Sequence, residues 1–215
     1  FIVTSGQPDT LTALSPSLYL LEVNATAEFR SHVTREGDLL AWWKFDDVGA
    51  LAQDATGNGH DGNLTSMTPA TDWVVGKFGS ALDFDGTNDK VSVEPFPLDL
   101  EKLTVSAWVK SRASNWQSVF QTKAWATGDV EFIVADRSLF GVNGMAQQSG
   151  GSGNEFWGAT PPTQNLWNHL AASYDVRAKR VRIYCNGVPD GDTTFTGNNL
   201  LKLTNGLWIG SSNSG

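Results

Sequence analysis

Short runs of alternating apolar and polar residues, each closed by Gly, Asn, Asp or Pro, recur along this chain, and almost nowhere does an i, i+3, i+4 apolar stripe interrupt them. A period of two puts successive side chains on opposite faces of an extended strand, so the pattern predicts an all-β protein. In Leu103 to Lys110, Leu103, Val105, Ala107 and Val109 share one face, while Thr104, Ser106, Trp108 and Lys110 share the other. A second unit runs from Trp167 to Tyr174, crosses Asp175-Val176-Arg177-Ala178 and returns from Lys179 to Cys185. It reads as a hairpin followed by the Asn186-Gly187 turn. Further strands are expected near Leu39 to Phe45, Ser80 to Phe84, Lys90 to Val93, Ser118 to Thr122, Val130 to Val134, Leu139 to Val142 and Gly206 to Gly210. Many short strands with Gly-rich turns favour a sandwich or closed barrel over any α/β arrangement. Gln147 to Asn154, dominated by Gly and Ser, is expected to be a mobile loop.

Composition narrows the function classes. A formal net charge of -8 repels a phosphate backbone, which removes nucleic acid from the partners. No run of about 18 apolar residues exists to form a membrane-spanning helix. Cys185 is the single cysteine, so neither an intrachain disulfide nor a cysteine zinc site can form. Asn24 and Asn63 head glycosylation sequons, used only in a eukaryotic secretory pathway. Residues 1–36 differ in texture: Leu18 to Val23 and Ala27 to Val33 alternate around Asn24-Ala25-Thr26, without any Trp. They are expected to be an N-terminal extension or the tail of a preceding β domain in a longer chain, with a hinge at Arg35-Glu36-Gly37-Asp38 and one sandwich domain over 37–215.

Several stretches in order carry a family resemblance. They are Ala41-Trp42-Trp43-Lys44-Phe45-Asp46, Asp54 through Gly62, Gly76-Lys77-Phe78-Gly79-Ser80-Ala81-Leu82-Asp83-Phe84-Asp85-Gly86, Leu103 through Val109, Trp167-Asn168-His169-Leu170-Ala171, Arg182 through Gly187, and Leu207-Trp208-Ile209-Gly210. Together they resemble the laminin-G-like, pentraxin-like concanavalin jelly-roll family. The resemblance implies an all-β, two-sheet antiparallel β-sandwich and a non-catalytic recognition or adhesion module, extracellular or at the cell surface, that binds a glycan or an extracellular protein. Family members follow the Trp-Ile-Gly strand with a Phe-x-Gly-x-Ile-Asp-Glu-Val strand, which this sequence lacks before Gly215. Either the sequence is cut short of that strand, or residues 1–36 or another chain are expected to supply the missing pairing.

Hydrolases resembling this family carry a Glu-x-Asp-x-x-Glu strand that aims two carboxylates into one cleft, and no such triplet occurs here. Asp46-Asp47, Glu131 and Asp136 form no convincing dyad by spacing, His32, His60 and His169 lie far apart, and no Gly-x-Ser-x-Gly elbow is present. Calcium is the cofactor to expect. Asp85, Asn88 and Asp89 resemble a pentraxin calcium loop, with Ser211 and Asn213 in the position of its second loop, which here has no carboxylate. For a glycan, Trp116, Trp125 and Trp157 are the candidate stacking residues, with Asn115 and Asn154 beside them to bond hydroxyls. Trp42, Trp43, Trp108 and Trp167, within or at the start of strands, are expected to fill the core. Two rival functions stand beside recognition: a structural or assembly unit of a surface layer or filament, and a glycan-processing enzyme domain.

Overall fold

The described residues form twenty elements, nineteen of them strands as the alternation predicts. The computed structural model describes residues 2–4, 39–124, 126–144, 146–147 and 155–210. In chain order these hold β1 (Ile2–Thr4), β2 (Leu39–Trp42), β3 (Leu51–Ala52), β4 (Gly62–Thr65), the single turn α1 (Pro69–Asp72), β5 (Trp73–Val75), β6 (Ser80–Leu82), β7 (Lys90–Val93), β8 (Asp99–Leu100) and β9 (Lys102–Val109). There follow β10 (Gln117–Thr122), β11 (Val130–Val134), β12 (Ser138–Val142), β13 (Ala146–Gln147), β14 (Glu155–Trp157), β15 (Asn168–Asp175), β16 (Arg180–Cys185), β17 (Val188–Thr196), β18 (Leu201–Lys202) and β19 (Leu207–Ile209). The two alternating runs expected at Leu18 to Val23 and Ala27 to Val33 lie outside the described residues, as does 148–154 of the expected mobile loop.

Two large antiparallel sheets result, one of order β13-β17-β16-β15-β9-β1-β2 and one of order β14-β12-β11-β10-β19-β7-β4-β3. Their inner faces meet in one apolar cluster. The predicted inward face of β9 is there, as Leu103, Val105 and Ala107, opposite Phe120, Phe132, Phe140 and Phe156 of the other sheet. Phenylalanine, not tryptophan, fills this interior. Trp43 alone of the four strand tryptophans is fully buried, whereas Trp42, Trp108 and Trp167 are half-buried, which corrects the expectation that all four pack inside. An indole carries an N–H that needs a partner, and at Trp43 that partner is the His60 carbonyl at 2.8 Å.

The β15–β16 hairpin forms where expected, closing on the Asp175–Arg180 pair, with Asp175 Oδ1 accepting from the Arg177 and Ala178 amides and Asn186-Gly187 both at positive φ. The nine-residue β17 was not legible beforehand. Its Val-Pro-Asp-Gly-Asp-Thr-Thr-Phe-Thr sequence has only Phe195 buried, because pairing with β16 rather than an apolar face holds it.

Ile2–Thr4, within the stretch read as an N-terminal extension, lies inside the seven-stranded sheet, between β9 and β2. The turn cluster Asp54 to Gly62 locks β2 from the other side. Asp54 Oδ1 accepts from the Trp42 amide at 3.0 Å and the Thr56 amide at 3.0 Å, Oδ2 accepts from the His60 amide at 3.1 Å, and the Thr56 hydroxyl reaches both oxygens. Asn58 Nδ2 donates to the Leu39 and Leu40 carbonyls, and His60 stacks on Phe96 at 3.8 Å. Gly57 and Gly59 take the positive φ this loop needs; Gly62 serves a different end, since a Cβ there would lie 2.2 Å from Val91 Cγ1.

Candidate functional site

Alternation that turns Phe120, Phe132, Phe140 and Phe156 inward turns their neighbours outward. Two rows therefore cross the outer face of the eight-stranded sheet. One runs Trp157, Leu139, Ile133, Ser118 over β14, β12, β11 and β10. The other runs Glu155, Gly141, Glu131, Gln121 and continues through Trp208 of β19 and Ser92 of β7 to Asn63 of β4. Adjacent rows on one face are about 7 Å apart along a strand, and neighbouring strands about 4.8 Å apart across it.

At the end of the first row the structure brings together two of the three loop tryptophans. Trp116 and Trp157 meet edge to face with ring centroids 5.7 Å apart. Trp116 is 55% exposed, and Arg137 lies 5.0 Å over the Trp157 ring. The turn before β10 that carries Trp116 is pinned rather than free. Ser111 Oγ lies 2.5 Å from Ala113 O and 2.7 Å from Gln117 Oε1, and the Arg112 guanidinium reaches both Asp83 carboxylate oxygens and the Phe84 carbonyl. A rigid mount matters because an aromatic platform ordered in advance loses less entropy when a ligand arrives. Asn115 is exposed on the same turn. Trp125 and Asn154 lie outside the described residues.

The second row was missed by sequence reasoning, which treated Glu131 as isolated. Glu131 and Glu155 are 24 positions apart and become neighbours only because β11 and β14 both flank β12. Gly141 stands between them, and a Cβ there would lie 2.6 Å from Glu131 Oε1, so the carboxyl group lies across the glycine. Burial, reinforced by the Glu155 charge, pushes the Glu131 carboxyl up to about 7. Beside it Gln121 is only 4% exposed, and its Oε1 has no hydrogen-bond partner among the described residues.

The predicted calcium loop is a self-supporting turn. Asp85 Oδ1 accepts from the Thr87 amide at 2.7 Å and the Asn88 amide at 3.3 Å, and Asp89 Oδ2 accepts from the Asp85 amide at 3.0 Å. Hydrogen bonds led by that from Thr87 hold the exposed Asp85 carboxyl below its usual range. Asp85 and Asn88 are exposed and Asp89 is buried, while Ser211 and Asn213 lie outside the described residues. Among the described residues no three His, Cys, Asp or Glu side chains converge as metal ligands.

Among the described residues, Asp46, Asp47, Asp136 and His169 have structural surroundings of their own, while His32 lies outside the described residues. Asp46 Oδ1 accepts from the Ser80 amide and Asp47 Oδ2 from the Gln53 amide, while Asp136 is exposed 3.8 Å from Arg137. Burial pushes the His169 imidazole down to about 4, leaving it uncharged at neutral pH, with its ring 5.3 Å from Trp108.

The model of the concanavalin A-like lectin/glucanases superfamily, of laminin G type 3, matches residues 85–215, more than half of the chain. The chain belongs to this superfamily. As a superfamily member it has the two-sheet sandwich found in domain 4 of AbnA, a GH43 extracellular arabinanase from Geobacillus stearothermophilus solved in complex with arabinotriose. That likeness has a TM-score of 0.60 at 20% identity and covers 81% of this chain and 83% of that one. The receptor binding domain of botulinum neurotoxin D is similar with a TM-score of 0.51 at 12% identity, covering 78% of this chain and 45% of the toxin domain. This superfamily member thus spans less than half of that toxin structure. No curated protein sequence matches it significantly. Among the described residues no helix is long and apolar enough to cross a membrane.

Proposed function

We propose that this domain is a non-catalytic glycan-recognition module acting outside the cell, with Trp116 and Trp157 as its sugar-stacking platform. The exposure of Trp116 beside an edge-on Trp157 on a pinned turn carries the reading. A large apolar ring held rigidly in solvent loses hydrophobic burial and gains nothing unless something covers it. The AbnA domain, described with arabinotriose in an extracellular enzyme, supports both the ligand class and the location. A glycan array probed with the isolated domain is expected to give positive sugars whose binding falls roughly tenfold or more in Trp116→Ala, the cost of losing one stacked ring. Array silence, or full binding by Trp116→Ala, ends the proposal.

Calcium belongs to this proposal as a weak ion at the Asp85–Asp89 loop. One oxygen of each carboxylate already holds the turn, which leaves fewer than the six to eight oxygens calcium takes and sets the expected Kd at about millimolar. Raising CaCl2 from zero to about 10 mM is then expected to lift Tm by about 3 °C by linkage. An unchanged Tm removes the ion.

The assembly-unit reading drew on the missing sheet partner. Pairing of Ile2–Thr4 with β9 and β2 of the same chain weakens it.

A further inference from the structure

Beside the tryptophan platform, the turn between β11 and β12 presents one charge of each sign. The Val134–Ser138 pair closes this hairpin, and the Ala135 amide donates to the Arg137 carbonyl at 2.9 Å, so Asp136 and Arg137 are fixed at its tip. The Gly158 amide donates to the Ser138 carbonyl at 2.8 Å and ties the turn to the end of β14, next to Trp157. Arg137 Cζ lies 5.0 Å from the Trp157 ring centroid, and its Nε is 3.8 Å from Asp136 Oδ2. A guanidinium over an indole spends its π contact there and leaves N–H groups for hydrogen bonds. The two side chains are 44% and 68% exposed, and so open a pair contributes little to stability. Packing on Trp157 thus accounts for the arginine and leaves the Asp136 carboxylate without a structural duty.

Charge decides what can use both groups. A sugar carboxylate or sulfate would pair with Arg137 but meet Asp136 and the Asp190 carboxylate that lies against Gly158, in a protein of net charge -8. An amine would pair with Asp136 and meet the guanidinium. Two neighbouring hydroxyls satisfy both, one oxygen accepting from Arg137 while the other donates to Asp136.

We propose that Asp136 and Arg137 are the specificity-determining pair of the platform, selecting a neutral glycan that offers them two adjacent free hydroxyls while one of its rings covers Trp116. The proposal rests on the glycan reading above and gives that site its ligand class. Trp157 is the shared neighbour: Arg137 lies over its ring and Trp116 meets it at 5.7 Å, which keeps the stacking surface and the polar pair within reach of one short glycan. Stacking accepts any sugar with an apolar face, so discrimination falls to the hydrogen-bonding pair.

The test is a glycan array on which each neutral terminal ring appears with its uronic acid and its amino sugar, as glucose with glucuronic acid and glucosamine, or galactose with galacturonic acid and galactosamine. The parent is expected to bind neutral rings, with both charged counterparts weaker by about tenfold or more. Asp136→Ala is expected to weaken the neutral positives about tenfold, as loss of a hydrogen bond to a charged group does, and Arg137→Ala at least as much. Arg137→Ala also uncovers Trp157; Asp136→Ala, whose carboxylate pairs only with Arg137 among the described residues, carries the test if the arginine variant melts early. O-methylation of the adjacent hydroxyls on a positive glycan is expected to weaken the parent about tenfold and to leave Asp136→Ala unaffected, which a merely structural role for Asp136 would not produce. Preference for the acidic or amino counterpart, full affinity in Asp136→Ala, or indifference of the parent to methylation overturns the pair while Trp116-dependent recognition stands; silence across the array removes both.

Discussion

Asp54→Ala is expected to destabilise the domain by about 3 kcal/mol, read as a lower urea midpoint at unchanged m-value. The Asp54 carboxylate is 8% exposed and receives the amides of Trp42, Thr56 and His60 together with the Thr56 hydroxyl. Each donor left buried without an acceptor costs about 1–3 kcal/mol, and relaxation of the loop recovers part of the sum. Asp54→Asn keeps one acceptor oxygen and is expected to lose about half as much. Burial acts to raise the Asp54 carboxyl, but its hydrogen bonds from Thr56, Trp42 and His60 outweigh burial and hold it below 3.8. Its contribution is therefore complete above about pH 4 and disappears as the pH falls through the lower folded value. In Asp54→Asn that acid-side loss should be smaller; a variant that tracks the parent through this range, at the same midpoint, would refute the role assigned to the loop.

Glu131→Gln is expected to act in the opposite sense, stabilising the unliganded domain by about 1–2 kcal/mol at pH 8. The folded carboxyl titrates near 7 against an ordinary 4.5, which at complete burial corresponds to roughly 3 kcal/mol. Partial exposure of the side chain lowers that figure by solvent screening. Because the folded value lies above the unfolded one, the penalty is absent below about pH 4.5, grows as the pH climbs to 7 and is complete above it. Urea melts of the parent between pH 5 and 8 should thus show stability sliding downward, and the glutamine variant should flatten that slope. Identical slopes would mean that Glu131 is well solvated.

Much of the scaffold was legible because the alternation is local. The bounds of β7 and β11 match expectation residue for residue, β10 and β12 begin one residue early, and β9 is shifted by one residue at both ends. β17 hid because its Asp-Gly-Asp-Thr sequence has no apolar face to announce it, and its order comes from β16. Tryptophan misled for a related reason: strand position says that an indole is on a sheet, not which face it takes. Trp208 lies on the outer row and Trp43 inside, although both sit in apolar segments. Trp116 and Trp157 could be named as candidates from their loops, whereas the Glu131–Glu155 pair depends on strand order, which spacing along the chain does not encode.

The placement of β1 bears on how the domain forms. Residues 2–4 are made well before β9, yet they lie between it and β2, so the middle of that sheet cannot close until segments about a hundred positions apart have met. Non-local closure of this kind slows folding to the millisecond-to-second regime of sandwiches. Until then, β9 presents one edge without that partner, and a nascent chain at this stage is the form most exposed to mispairing with its neighbours on a polysome.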